Sequence, residues 1–315
     1  MIVSTLELDP SQQARVNQAA AGKPVLHQPL ALLSPKDLAQ VEILLTYGYD
    51  IPSEQLDRMP ALQWIHIGQS GMDKLPMKAL AQRNILLTNS RGINSTAIAE
   101  YAMSMMLNAV RRNYTFYEAQ KACHWDLDTH LDELSGKTVG ILGLGMVGRG
   151  LAQRARAFEM KVLGMEVTAQ PVEGVERIYL PSQKLELFAQ CDFIVICMPL
   201  TPVTRHLVDA QAFAAMKPSA WVINVGRGPI IDEDALLAAL QSGSPAGAAL
   251  DVFQTEPLTR DHPLWTTPNV IVTPHIAGDH LASYMPRMME ILCRNLSAYP
   301  NVSSMINQVD VSRGF

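Results

Sequence analysis

The stretch Lys137–Gly150, KTVGILGLGMVGRG, constrains this chain more than any other. Thr138-Val139-Gly140-Ile141-Leu142 is a short apolar run that reads as a buried strand. Gly143-Leu144-Gly145-Met146-Val147-Gly148 then turns into a helix-like segment, Met146–Phe158. Strand, G-x-G-x-x-G turn and helix in that order form a dinucleotide-binding fingerprint. Gly143 permits the tight turn, and Gly145 lets a pyrophosphate approach the backbone. Gly148 lets the helix pack on the strand. The helix start at Met146 and Val147 offers unpaired N–H groups and the positive end of a dipole to the phosphates.

The next apolar run, Met160–Val167, reads as a second strand and carries Glu166 near its end. A carboxylate there accepts hydrogen bonds from the adenosine ribose hydroxyls. It would repel a 2′-phosphate, and Val167-Thr168-Ala169 supplies no Arg or Lys to bind one. NAD is the expected cofactor, with NADP disfavoured.

The bulk properties exclude several classes of function. At 315 residues the chain is long enough for two domains. Composition is 48% hydrophobic and 17% charged with a net charge of −5, so nucleic acid and anionic membranes are poor partners. The start, MIVSTLELDP, does not read as a signal peptide, and no stretch reaches the length of a membrane span. Cys123, Cys191, Cys197 and Cys293 are scattered without CxxC spacing or a Cys/His cluster. They read as buried or half-buried free thiols of a cytoplasmic protein with no metal site. Many of the methionines, such as Met103, Met106, Met288 and Met289, read as core or interface filler.

The N-terminal third alternates strand-like runs at Ile2–Leu8, Val41–Tyr47, Trp64–Ile67 and Ile85–Thr88 with short helical segments. This predicts a small α/β unit. Gly68-Gln69-Ser70-Gly71-Met72-Asp73 follows the third strand. A turn of this kind gathers backbone N–H groups into a nest for a carboxylate or phosphate, or serves as a plain strand-to-helix turn. Ser95–Arg112 predicts a long buried helix capped by Ser95 or Thr96. Asn113–Ser135 reads as an arm or linker whose exposed Tyr114, Phe116, Tyr117 and Trp125 suit a subunit interface.

From Lys137 a more regular series begins. It has strands at Val139–Leu142, Lys161–Met165, Phe193–Cys197, Trp221–Asn224, Ala246–Leu250 and Val270–Thr273. Helical segments fall between them, including Ser182–Gln190, Asp209–Ala215 and Glu233–Gln241. Continuous apolar strands interleaved with helices predict a parallel, doubly wound sheet. Leu281–Tyr299 predicts a last helix, kinked or restarted at Pro286.

Four strand ends of this series carry residues suited to chemistry, at the edge where an open α/β sheet binds ligands. They are Pro199 with Thr204, Val225 with Arg227, Asp251 with Glu256, and His275 with Gly278. Hydride transfer to a ketone needs a proton donor, a group that polarises the oxygen and an anchor for an anion. His275 can donate the proton, Glu256 can hold its far nitrogen, and Arg227, flanked by glycines and well exposed, can bind a carboxylate and carbonyl. Pro199, Thr204, Val225 and Gly278 are expected to bind the cofactor.

The chain resembles the D-isomer-specific 2-hydroxyacid dehydrogenase family, in its glyoxylate/hydroxypyruvate reductase branch. The resemblance rests on ELSGKTVGILGLGMVGRGLA, MPLTPVTRHLV, MKPSAWVINVGRGPIIDEDAL, ALDVFQTEPL and HPLWTTPNVIVTPHIAG. GQSGMDKL and NSTAIAEYAMSMML are similar to the family's substrate loop and interdomain helix. It implies substrate binding by Arg227 and an acid–base pair of Glu256 and His275. It also implies backbone contacts from Gln69, Ser70 and Gly71 to the substrate carboxylate, and contact of Asp251 with the nicotinamide amide. Two Rossmann-like domains follow, a discontinuous substrate domain (1–96 with 281–315) and a dinucleotide-binding domain (97–280). A homodimer is the family habit. Met146-Val147 departs from the Arg-Ile of many relatives, and Asp279-His280 from small polar residues.

The first functional expectation is NAD-dependent reduction of hydroxypyruvate, glyoxylate or a similar 2-keto acid to the D-2-hydroxy acid. A phosphoglycerate or other D-2-hydroxyacid dehydrogenase is the alternative, although the 68–73 loop offers a phosphate only Lys74. An NAD-sensing binding protein, like the family's corepressor branch, is the alternative of another class.

Overall fold

The computed structural model describes residues 1–72, 75–279 and 282–311; the expectations placed on Asp73, Lys74, His280 and Leu281 lie outside them. The chain divides into two compact α/β units, Met1–Ile93 with Leu281–Phe315, and Asn94–His280.

The first unit is built on five parallel strands: β1 (Ile2–Ser4), β2 (Val25–His27), β3 (Ile43–Thr46), β4 (Trp64–Ile67) and β5 (Leu86–Asn89). Their order, β2-β1-β3-β4-β5, is a doubly wound arrangement. β3 and β4 are buried at every position, which is why they read as continuous apolar runs. Helices cover both faces of the sheet. Leu38, Leu56 and Leu80 fill one side, and Val16, Met288 and Leu292 the other.

The second unit has seven parallel strands: β6 (Thr138–Leu142), β7 (Lys161–Met165), β8 (Arg177–Tyr179), β9 (Phe193–Ile196), β10 (Trp221–Asn224), β11 (Gly247–Leu250) and β12 (Val270–Val272). The order β12-β11-β10-β9-β6-β7-β8 reverses direction between β6 and β9, the switch point at which such sheets take dinucleotides. The helix Ser95–Arg111 packs with Met146–Ala157 on one face, through Ala99, Met103, Met106, Leu151 and Ala155.

Several local expectations are corrected. β2 and β8 went unpredicted because they are three-residue edge strands without an apolar run. The first strand ends at Ser4, well short of Leu8. The long helix takes Asn94 as its N-cap rather than Ser95 or Thr96, without a side-chain capping bond. The segment read as an arm begins with a helix, Asn113–Lys121, that buries no residue and so shows no apolar stripe. Phe116 on it is only partly exposed, while Tyr114, Tyr117 and Trp125 are exposed. Cys123 is exposed rather than buried. The last described helix is Tyr284–Ala298, so Pro286 falls in its first turn, where a missing N–H disrupts no helical bond.

Candidate active site

The carboxyl ends of β6, β9, β10, β11 and β12 bring the predicted residues of the second unit to one edge of the sheet. After β6, Gly143 has φ +96°, and a Cβ there would lie 2.9 Å from the Met198 backbone. A Cβ on Gly148 would sit 2.0 Å from the Gly143 carbonyl oxygen. Both positions are closed to any larger residue. At Gly145 nothing lies within 4 Å of an added Cβ. The turn is therefore packed on its protein side and open where a pyrophosphate would approach, as the fingerprint requires. Met146 is 49% exposed at the start of the helix, beside Val147.

Glu166 follows β7 and reaches back to this turn. One carboxylate oxygen accepts the Leu144 N–H at 3.0 Å and the other the Val167 N–H at 2.9 Å. Both oxygens keep lone pairs for further donors. Beneath the turn the Cys197 thiol donates to the Gly143 carbonyl at 3.2 Å. Burial, aided by the Glu166 charge, pushes that thiol up to about 12, so it stays protonated and able to donate. Next to it Thr204 donates to the Pro199 carbonyl at 2.9 Å and accepts from the Thr201 N–H at 2.7 Å, closing a compact turn.

The loop after β10 is shaped by the fully buried Asn224, whose amide accepts from Gly226 N–H at 3.0 Å and donates to the Arg227 carbonyl at 3.1 Å. The Val225 N–H donates to Ile196 on the neighbouring strand at 3.0 Å. Arg227 is only partly exposed, not the open side chain its flanking glycines suggested. Those glycines have another cause. A Cβ on Gly226 would meet the Met198 carbonyl at 2.8 Å, and one on Gly228 the Phe253 carbonyl at 1.9 Å. The strand-end loops on either side leave no room. Arg227 Nη1 donates to its neighbour's carbonyl at 2.8 Å, which orients the guanidinium.

The last two strand ends meet at Asp251 and His275. Asp251 is 2% exposed. Its carboxylate accepts from the Thr273 hydroxyl at 2.6 Å, the Ile276 N–H at 2.9 Å and the Ala277 N–H at 3.0 Å. Its own carbonyl accepts the His275 N–H at 2.8 Å. These bonds hold His275 in the left-handed region, at φ +53°, where a side chain of this kind needs support from its surroundings. The Tyr101 hydroxyl lies 2.6 Å from Thr273 Oγ1, and burial pushes Tyr101 up to about 12. His275 Nδ1 is 2.7 Å from Glu256 Oε2, while Glu256 Oε1 accepts the Phe253 N–H at 3.0 Å. Nδ1 so engaged carries its proton toward the carboxylate, and Nε2 is left for a ligand. Gly278 lies against Asn94, which an added Cβ would approach to 3.0 Å.

In the first unit, the turn after β4 ties its carbonyls to neighbouring groups. The Gly68 carbonyl accepts the Tyr284 hydroxyl at 2.9 Å. The Gln69 carbonyl accepts the Ser90 N–H at 3.1 Å, and the Ser70 carbonyl accepts the Asn89 amide at 3.2 Å. In a planar trans peptide the N–H points opposite to the C=O. With these three carbonyls tied to their own unit, the N–H groups of Gln69, Ser70 and Gly71 point away from those partners. Among the described residues no protein acceptor takes them.

Asn224, Thr273, Tyr101, Asn89 and Ser90 were not singled out from the sequence. Asn224 bonds within its own loop, to Gly226 and Arg227, and the partners of the other four lie far along the chain, so spacing carries no signal for them.

The family model for D-isomer specific 2-hydroxyacid dehydrogenase, NAD binding domain, matches residues 103–277. This chain belongs to that family. Glyoxylate/hydroxypyruvate reductase B of Shigella boydii serotype 4 (strain Sb227) is 38% identical over 266 residues, covering 80% of this chain and 82% of the relative. Among solved structures, the NADPH-dependent glyoxylate/hydroxypyruvate reductase of Sinorhizobium meliloti, in complex with NADP and malonate, is 27% identical. It matches with a TM-score of 0.79 over 99% of this chain and 97% of that one. D-Lactate dehydrogenase of Aquifex aeolicus, complexed with NAD and lactic acid, is 25% identical with a TM-score of 0.79 over 98% of each chain. Family membership makes the chain an NAD(P)-dependent oxidoreductase acting on the CH–OH group of 2-hydroxy acids and the ketone of 2-keto acids.

Proposed function

We propose that this chain reduces a small 2-keto acid of the glyoxylate or hydroxypyruvate kind to the D-2-hydroxy acid, with His275 as the proton donor. The observation that carries the reading is the 2.7 Å pairing of His275 Nδ1 with Glu256, on a loop that the buried Asp251 holds in place. Glu256 engages Nδ1 and fixes the ring's orientation, so Nε2–H faces the reacting oxygen. Arg227 binds the substrate carboxylate and polarises the carbonyl. The outward N–H groups of Gln69, Ser70 and Gly71 take the carboxylate as a second anchor. The dinucleotide, when bound, supplies the hydride to the carbonyl carbon. Gly143–Gly148 would hold its pyrophosphate by backbone alone, since Met146 and Val147 bring no charge. Pro199, Thr204, Val225 and Gly278 line its path, and Asp251 keeps lone-pair capacity for the nicotinamide amide.

The two solved relatives hold NADP in one case and NAD in the other, so the fold itself accepts both. For this chain we infer a preference for NADH. Glu166 is anchored to the turn through Leu144, and a 2′-phosphate beside it would meet like charge. A homodimer in the cytoplasm completes the reading. The exposed Tyr114, Tyr117, Trp125 and Leu127 of one segment supply apolar area for a second subunit.

The test is a panel of 2-keto acids, glyoxylate, hydroxypyruvate, pyruvate and 3-phosphohydroxypyruvate among them, with NADH and NADPH followed at the nicotinamide band. Turnover of the small unphosphorylated acids supports the reading. Preference for the phosphorylated acid would move it to the phosphoglycerate alternative, and no turnover at all would favour a binding protein. Glu166→Ala should shift the ratio of kcat/KM values toward NADPH by about tenfold. A ratio that stays put, or a wild type that prefers NADPH, overturns the assignment of that carboxylate.

A further inference from the structure

Behind the nest lies a chain of buried polar groups that the reaction does not itself require. His66 is the third residue of β4 and fully buried, and its register partner on β5 is Thr88. Trp64 Nε1–H donates to Thr88 Oγ1 at 2.9 Å. Thr88 Oγ1 lies 2.8 Å from His66 Nδ1, and His66 Nε2 lies 3.3 Å from Ser90 Oγ. Ser90 Oγ in turn donates to the Ile67 carbonyl at 3.2 Å.

One arrangement of protons uses every donor in this series. Indole N–H can only donate, so the Thr88 hydroxyl accepts from Trp64 and sends its own proton to His66 Nδ1. His66 then carries its proton on Nε2 and donates it to Ser90 Oγ. Ser90 passes its hydroxyl proton to Ile67. The opposite tautomer would leave the Thr88 proton without an acceptor and turn the Ser90 hydroxyl away from Ile67. Ser90 is the residue that grips the nest. Its N–H reaches the carbonyls of both Ile67 and Gln69, and its own carbonyl accepts the Ser70 hydroxyl at 3.4 Å.

We propose that His66, held as the neutral Nε2–H tautomer between Thr88 and Ser90, is a positioning residue. It fixes Ser90 against the 67–70 turn and so keeps the Gln69, Ser70 and Gly71 N–H groups aimed at the substrate carboxylate. The proposal rests on the 2-keto acid reading above. Its chemistry is plain: a nest binds an anion well only if its N–H groups converge before the anion arrives, and a loosened Ser90 lets the peptides rotate.

The experiment compares wild type with His66→Phe, His66→Gln and Ser90→Ala. The steady-state KM for the keto acid, kcat, the dissociation constant for NADH and the melting temperature are measured for each. Malonate inhibition provides a second reading of carboxylate binding. Gln can still donate to Ser90 and accept from Thr88, whereas Phe can do neither. The expected result for His66→Phe is a rise of about tenfold in KM and in the malonate inhibition constant, with kcat and NADH binding little changed. His66→Gln should recover most of that loss, and Ser90→Ala should reproduce it. KM and malonate inhibition unchanged in folded His66→Phe overturn the proposal. So does a loss shared equally by kcat, KM and NADH binding, or a failure of Gln to do better than Phe. If His66→Phe does not fold, Ser90→Ala decides on the same readings. A wild-type enzyme that turns over no 2-keto acid would instead overturn the underlying reading of function.

Discussion

Acidification should destabilise this protein in a way that traces to a single ring. Burial, with no charge of opposite sign in its hydrogen-bonded surroundings, lowers His66 from 6.5 to about 3. The unfolded chain exposes the ring and protonates it below 6.5. Between those limits the unfolded state binds one proton more than the folded state, so stability falls as pH falls. The loss begins as pH drops through 6.5 and ends near 3, where the folded ring also protonates. Each pH unit inside the window costs about 1.4 kcal/mol, so going from about pH 7 to about pH 5 costs about 2 kcal/mol. A difference measurement against a variant without the ring separates its contribution from that of the rest of the chain. Urea unfolding of wild type and His66→Gln at both pH values, followed by circular dichroism, isolates the term. Wild type should lose about 2 kcal/mol more than the variant on acidification. Parallel losses, within about 0.5 kcal/mol, would show that the ring is not held neutral and would refute the reasoning.

Other substitutions test the second unit. His275→Asn should lower kcat by about 10²–10⁴-fold in a stopped-flow assay while leaving NADH binding intact; an unchanged rate removes it as the acid. In Asp251→Asn an amide N–H₂ replaces one acceptor, leaving the Ala277 N–H or the Thr273 and Ile276 donors unmet. It should cost about 2–3 kcal/mol in urea unfolding, and a change below about 1 kcal/mol would show that the buried clamp is not what holds the His275 loop. Gly228→Ala places a methyl 1.9 Å from the Phe253 carbonyl, backbone against backbone. A loss of about 3 kcal/mol or insoluble expression is expected, and a soluble variant of native melting temperature would contradict so close an approach.

The fold was legible wherever burial wrote itself into composition. β4, β6, β7 and β10 are apolar at almost every position because both faces of each sheet are covered, and their bounds agree closely with the runs seen in the sequence. β2 and β8 are three-residue strands at sheet edges, with Tyr179 their one buried residue, so no run marks them. Pro286 misled because its effect depends on where the helix starts, and the helix begins at Tyr284 with no side-chain cap from Ser283 to mark the place. A proline one turn further on would have produced the predicted kink.

The candidate site divides along a similar line. Arg227, Glu256 and His275 stood out because strand ends of a doubly wound sheet are a small set of places, and charged residues there are few. Their supporting groups did not stand out. His66 lies inside WIHI, where alternation with Trp and Ile makes it read as one more core position. Only the pairing of β4 with β5 brings Thr88 across from it, and only the turn back to Ser90 completes the series. Asp251 was noticed as an acid near a cofactor, yet its bonds run to a loop more than twenty residues later. In each unit the groups proposed to meet a ligand sit at strand ends that the sequence marks, while the groups proposed to aim them are joined through the sheet. Substitutions at the second kind should therefore alter binding and stability without touching any reacting atom.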